Sequence, residues 1–184
     1  CGHDIHDLAR HAMFEEVCFL LWHRRLPTRA ELGDLQAQLV AARPLPEGVL
    51  RLMRTLPAGD GMDTLRTLTS ALSHYDADAD QHSPQANYRK AVRLTSQLSS
   101  LVATMGRVSA GGGPIAPDPV LGHAANFLYM LKGFRPSGDA ARLMDVDMIL
   151  HAEHGSNASA FTARVVAGTE ANLHAAMTAA VAAL

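Results

Sequence analysis

Apolar residues recur at a helical period along almost the whole chain, and proline or glycine closes several of the runs. Phe14, Val17, Cys18, Leu21 and Trp22 form one such stripe, spaced to line a single helix face. Leu26-Pro27 breaks it. Thr28-Arg29-Ala30-Glu31 then reads as a capping box, which predicts a helix to about Ala42 that carries Leu32, Leu35 and Leu39. The same reasoning predicts helices over Asp4–His11, Glu47–Leu56, Met62–Tyr75 and Asn87–Ser109. No segment alternates as a strand does, and no repeat recurs at a fixed period. The fold class expected is all-α. Ala and Leu, both strong helix formers, dominate the composition. The 48% apolar and 18% charged content is enough for a packed core.

The second half is punctuated more heavily. Gly111-Gly112-Gly113-Pro114 reads as a hinge-like connector, because it lacks the Lys and Ser/Thr of a phosphate loop and follows no strand. Asp118-Pro119 signals a helix start, with proline at the first helical position, and Gly133 ends that helix after Lys132. Ser137 opens a further helix to about His154. Asn157–Ala167 resumes, Gly168 ends it, and Thr169 is expected to cap a last helix. Asp76–Pro84 is polar and acidic and is expected to be the most exposed loop.

Several functions are disfavoured by charge and patterning. Sixteen Lys and Arg against 18 Asp and Glu give a net charge of −2, so no basic surface for nucleic acid is expected. Val17–Trp22 is the longest strongly apolar run and is too short to span a membrane. Two cysteines cannot build a disulfide framework. No secretory signal is legible, and a cytoplasmic setting is expected. The chain stops at Leu184 inside an Ala-rich apolar run, as a piece of a longer protein would.

Two histidine clusters invite chemistry. His3 and His6 lie one helical turn apart, a spacing that can share a metal, but no second cluster completes the site. A solvated helix start with Asp4 and Asp7 is the plainer account. His151-Ala152-Glu153-His154 is the densest titratable run. Its histidines are three apart, not the four of a zinc protease, and neither the deaminase nor the di-iron pattern is present. The plainer account is a polar helix end. However, His154 sits where an apolar helix gives way to Gly155-Ser156-Asn157. Side chains and backbone groups converge on small ligands at such ends. His154 can donate to a carboxylate, more strongly if protonated, and Asn157 can add an amide donor. The pair suits an anionic, oxygen-rich small molecule.

Four collinear blocks carry a resemblance. Leu150-His-Ala-Glu-His-Gly-Ser-Asn157 and the residues up to Thr169 resemble the central segment of the citrate synthase family. Gly122-His-Ala-Ala-Asn-Phe-Leu-Tyr-Met-Leu131 is similar to another family block. Asp4–Leu8 with Phe14–Val17 and Leu26–Thr28 looks like its N-terminal region, and Met62–Arg66 with Ser70–Leu72 like the helix that follows. The blocks keep the family's order over nearly the whole chain. The resemblance implies that residues 1–184 are part of the large helical domain, without the small domain, in a homodimer packed through antiparallel helices. It implies condensation of acetyl-CoA with oxaloacetate, then thioester hydrolysis to citrate and CoA, with no cofactor and no metal. It assigns His154 and Asn157 to the oxaloacetate pocket. It places the enol-stabilising histidine, the ketone-polarising histidine and the base aspartate beyond Leu184, so the 184 residues alone are expected to be inactive. Asp60-Gly61-Met62 stands where members often carry His-Pro-Met, and Gly155 where Glu is common. These departures leave room for 2-methylcitrate synthase, which uses propionyl-CoA. A truncated, non-catalytic helical dimerisation module is the alternative from another class.

Overall fold

Helix boundaries in this chain are set mainly by short polar side chains. Asp4, Thr28, Asp60, Ser83, Ser137, Asn157 and Asn172 each accept a hydrogen bond from a first-turn amide. The computed structural model describes residues 2–184, so Cys1 lies outside the described residues. Among these the helices are α1 (Ile5–His11), α2 (Phe14–His23), α3 (Arg29–Ala42), α4 (Glu47–Thr55) and α5 (Gly61–Ala71). They continue with α6 (Pro84–Ser109), α7 (His123–Lys132), α8 (Gly138–His151), α9 (Ala158–Gly168) and α10 (Leu173–Ala182). No strand occurs among the described residues, and the fold is all-α.

The long helix α6 is the common wall of two cores. On one side Leu94 and Leu101 meet Val49 and Met53 of α4 and Leu68 of α5, with Leu173 and Met177 of α10 packed against them. On the other side Val92 meets Phe19 of α2 and Leu35 and Leu39 of α3. The Ser96 hydroxyl donates to the Leu39 carbonyl at 2.6 Å in the α3–α6 seam, satisfying a buried polar group. Leu68 and Leu101 are fully covered, so truncating either to Ala costs about 2–5 kcal/mol. A third core joins Ala12 and Val17 to Ile149 of α8.

The capping box at Thr28 and Glu31 forms as expected: Glu31 N–H donates to Thr28 Oγ1 and Thr28 N–H donates back to Glu31 Oε2. Several boundaries differ from the sequence expectation. The Met62–Tyr75 helix stops as an α-helix at Ala71 and tightens into a 3₁₀ turn over Leu72–Tyr75. Helix α6 begins at Pro84, three residues early, because Ser83 caps it with proline in the first turn.

Asp118-Pro119 does not start a helix. The Asp118 carboxylate instead accepts from Val120 N–H at 3.0 Å and from Arg135, forming a turn, and α7 starts only at His123. Helix α8 ends at His151, not His154. Thr169 is the C-cap of α9, and Glu170 turns the chain in the left-handed region with φ 63°. Asn172 is the cap of α10.

The glycine run is wrapped around Arg107. That side chain donates to Gly113 O at 2.7 Å, and a Cβ on Gly112 or Gly133 would meet it at 2.9 or 2.6 Å. The Asp76–Pro84 loop is only partly solvated. Asp76 and Asp78 turn inward onto arginines of α6.

Candidate functional site

Helix α8 leads into the candidate site and is clamped at its other end. Arg142 donates to the carbonyls of Ala9 and Ala12 at 2.5 and 2.7 Å, satisfying the open C-terminal end of α1. Asp145 accepts from Phe14 N–H at 3.0 Å, capping α2, and pairs with Arg142. One helical turn of α8 therefore neutralises two helix ends of opposite polarity. This fixes the direction in which α8 runs toward His151.

Beyond His151 the chain makes a short turn and enters α9. Ala152 is the C-cap of α8. Glu153 Oε1 accepts from Gly155 N–H at 2.5 Å across His154. Gly155 has φ 86°, a left-handed conformation that glycine adopts without strain. Gly155 O accepts from Asn157 N–H at 3.0 Å, and Asn157 Oδ1 accepts from Ala160 N–H at 2.8 Å. The Asn157 oxygen is thus committed to capping α9, which leaves its Nδ2 as a donor.

His154 is exposed and makes no hydrogen bond among the described residues, while Asn157 is half-buried. His151 does not join them. Its Nδ1 lies 2.8 Å from Asp147 O, one turn back on its own helix. The structure therefore places His154 and Asn157 on one turn at the N-terminus of an 11-residue helix. There the free amides and the positive end of the macrodipole favour an anion.

The other candidates do not assemble. Asp4 caps α1 by accepting from His6 N–H at 2.7 Å, and no cluster of three His, Cys, Asp or Glu able to hold a metal occurs among the described residues. No described helix is long and apolar enough to cross a membrane. A cleft of about 460 Å³ between the start of α6 and the α9–α10 turn is lined by His82, Asn87, Glu170 and Leu173. It does not include His154 or Asn157.

Two buried polar clusters gave no signal in the sequence. In the first, Glu15 of α2 accepts from His123 N–H at 3.1 Å and so caps α7, whose own N-cap is Gly122. Burial raises the Glu15 carboxyl pKa, and backbone hydrogen bonds partly oppose it. Burial, helped by the Arg43 charge, pushes the His123 imidazole down to about 4. Arg43 is 2% exposed and donates to the carbonyls of Asp118 and Leu121.

In the second cluster, Arg93 grips Asp76 through two nitrogens at 2.9 and 2.6 Å and reaches Asp78 as well. Buried Lys90 donates to the carbonyls of Ala79 and Gln81. His174 Nε2 of α10 lies 3.3 Å from Asp76 Oδ2, and burial lowers its pKa against the pull of that carboxylate. This ionic knot ties the Asp76–Pro84 loop to α6 and α10.

Comparison with known proteins identifies the family and the fold. The chain is 45% identical to a citrate synthase of Haloferax volcanii over 98% of its length and 49% of the relative's. It is 41% identical to a 2-methylcitrate synthase of Mycobacterium tuberculosis over 100% of its length and 46% of the relative's. The fold superposes on the citrate synthase of Pyrobaculum aerophilum with a TM-score of 0.93 at 36% identity, covering 99% of this chain and 48% of that one. The chain thus spans about half the length of these relatives. The family model described as "Citrate synthase, C-terminal domain" matches residues 1–184, and the chain belongs to the citrate synthase family.

Proposed function

We propose that the chain is part of the large helical domain of an enzyme that condenses acetyl-CoA with oxaloacetate and releases citrate and CoA, with His154 and Asn157 in the oxaloacetate pocket. The observation that carries this reading is the turn that sets these two side chains together at the N-terminus of α9. Oxaloacetate is a dianion. A histidine donor, an amide donor and the helix-end amides match its carboxylates, and charge-assisted bonds of this kind are the strong ones. The imidazole of His154 has no competing intramolecular bond to break, and Asn157 is held in one rotamer by its capping bond.

The remaining chemistry needs a base to remove a proton from the acetyl methyl group and a donor for the resulting enolate. Each is normally worth orders of magnitude in rate. The family resemblance assigns both tasks to residues outside these 184, so the 184 residues alone are expected not to turn over. The apolar side chains of Leu143 and Leu150 on α8 and of Phe161 and Val165 on α9 stand exposed, and we assign these surfaces to a homodimer contact.

The second reading is condensation of propionyl-CoA to 2-methylcitrate, favoured by the 41% identity to a relative of that name. One methylene changes acyl recognition by only about 1–3 kcal/mol, so both readings share the oxaloacetate turn. The test is release of free CoA thiol by the protein expressed from its complete reading frame, with oxaloacetate and either acetyl- or propionyl-CoA. Oxaloacetate-dependent thiol release that is lost or shifted to higher oxaloacetate in His154→Ala supports the assignment. Unchanged oxaloacetate kinetics in His154→Ala removes it.

A further inference from the structure

We propose that Glu153 is a positioning residue: its carboxylate fixes the turn that sets His154 and Asn157 in register with each other. This rests on the reading of His154 and Asn157 as oxaloacetate-binding residues. The argument starts from what holds His154. Its side chain is exposed and makes no hydrogen bond among the described residues, so only the backbone beneath it determines where the imidazole stands.

That backbone is closed by a relay of three hydrogen bonds. Glu153 Oε1 accepts from Gly155 N–H at 2.5 Å, Gly155 O accepts from Asn157 N–H at 3.0 Å, and Asn157 Oδ1 accepts from Ala160 N–H at 2.8 Å. The first bond spans His154, the second joins it to Asn157, and the third anchors Asn157 to α9. Only the first depends on an exposed side chain next to the candidate binding residues. Without it, the left-handed Gly155 is free to sample the wide conformational range open to glycine, and His154 moves with it.

The bond uses an acceptor oxygen and leaves the negative charge of the carboxylate in place. Beside a pocket for a dianion that charge repels the substrate. Charge is therefore not the useful property of Glu153; its acceptor oxygen is. This separates the proposal from a general role for an acidic surface residue.

The experiment uses the protein expressed from its complete reading frame, with wild type compared against Glu153→Ala, Glu153→Gln and His154→Ala. Glu153→Ala is expected to raise the oxaloacetate KM about tenfold, the scale of one positioning hydrogen bond, with kcat and the acyl-CoA KM little changed. Glu153→Gln keeps an acceptor for Gly155 N–H and is expected to restore the wild-type KM or improve on it. Amide hydrogen exchange at Gly155 is expected to be faster in Glu153→Ala than in wild type.

If His154→Ala raises the oxaloacetate KM and Glu153→Ala does not, the positioning role is wrong while the binding site stands. If His154→Ala changes nothing, the binding site is wrong and the positioning role falls with it. Equal exchange at Gly155 in wild type and Glu153→Ala also overturns the proposal, whatever the kinetics show.

Discussion

His123 gives the chain a built-in sensitivity to acid, and replacing it with leucine should remove that sensitivity. The imidazole is 4% exposed, its Nδ1 has no hydrogen-bond partner, and burial together with Arg43 pushes its pKa from 6.5 down to about 4. The folded state therefore refuses a proton that the unfolded chain accepts. Above pH 6.5 neither state is protonated and the residue has no pH-dependent effect. As pH falls below 6.5 the unfolded state gains, and the loss is complete once pH passes about 4. The full loss is about 3 kcal/mol, of which about 2 kcal/mol has appeared by pH 5.

Glu15 opposes this trend, because its raised pKa lets the folded state take up a proton before the unfolded one does. That contribution survives in His123→Leu, since Glu15 is held by the backbone N–H of residue 123 and not by the imidazole. Comparing the two proteins thus isolates the histidine. Leucine is close in volume and removes a buried unpaired nitrogen, so stability at pH 7.5 is expected to stay within about 1 kcal/mol of wild type. Chemical denaturation of both proteins from pH 7.5 to 4.5 is the assay. The variant should pull ahead by about 2 kcal/mol at pH 5. Parallel pH profiles would falsify the argument.

Four further outcomes test other parts of the structure. Asp76→Asn removes a carboxylate whose side chain is only 4% exposed and leaves Arg93 with Asp78 alone as its counter-charge. It should cost about 1.5–3 kcal/mol, the scale of hydrogen bonds to a charged group, seen as a fall in Tm. Thr28→Ala removes the acceptor for Glu31 N–H and should lower stability by about 1 kcal/mol, read from the denaturation midpoint. Gly155→Ala should weaken the turn by about 1–2 kcal/mol through backbone strain alone, since φ is 86° and an added Cβ meets nothing within 4 Å; a raised oxaloacetate KM with a Tm lowered by a few degrees is the signature. The 184-residue chain produced alone should sediment as a dimer or larger, because Leu143 and Phe161 are 73% and 63% exposed. Leu143→Glu with Phe161→Glu should shift it toward monomer, and a stable wild-type monomer would contradict the assignment of those surfaces.

What could be read from the residues divides by distance along the chain. The Thr28–Glu31 box and the Ser137 cap each involve partners three residues apart, so composition at fixed spacing was enough to find them. Asp118 failed as a helix start for the opposite reason. Its carboxylate is claimed by Arg135, 17 residues on, and its amide by Asn126, so local cap chemistry lost to contacts that no local pattern shows. The acidic loop misled in the same way, because Asp76 and Asp78 meet their arginines only after α6 folds back across them.

The same division explains the sites. His154 and Asn157 sit on one turn, and the relay through Gly155 that joins them closes within eight residues, so the pair was legible before the fold was known. Glu15 and His123 meet across 108 residues, and the ring of His174 reaches Asp76 only when α10 docks. Nothing in the spacing of such residues marks them. A binding turn exposed at a helix end can be built from neighbours because water satisfies whatever the turn leaves open. A buried charge must be matched by whichever element packs against it, and that partner is set by topology. The candidate turn can therefore tolerate changes elsewhere in the chain. The Glu15 and Asp76 clusters make distant helices interdependent, and acid should act on the stability of the fold through such clusters.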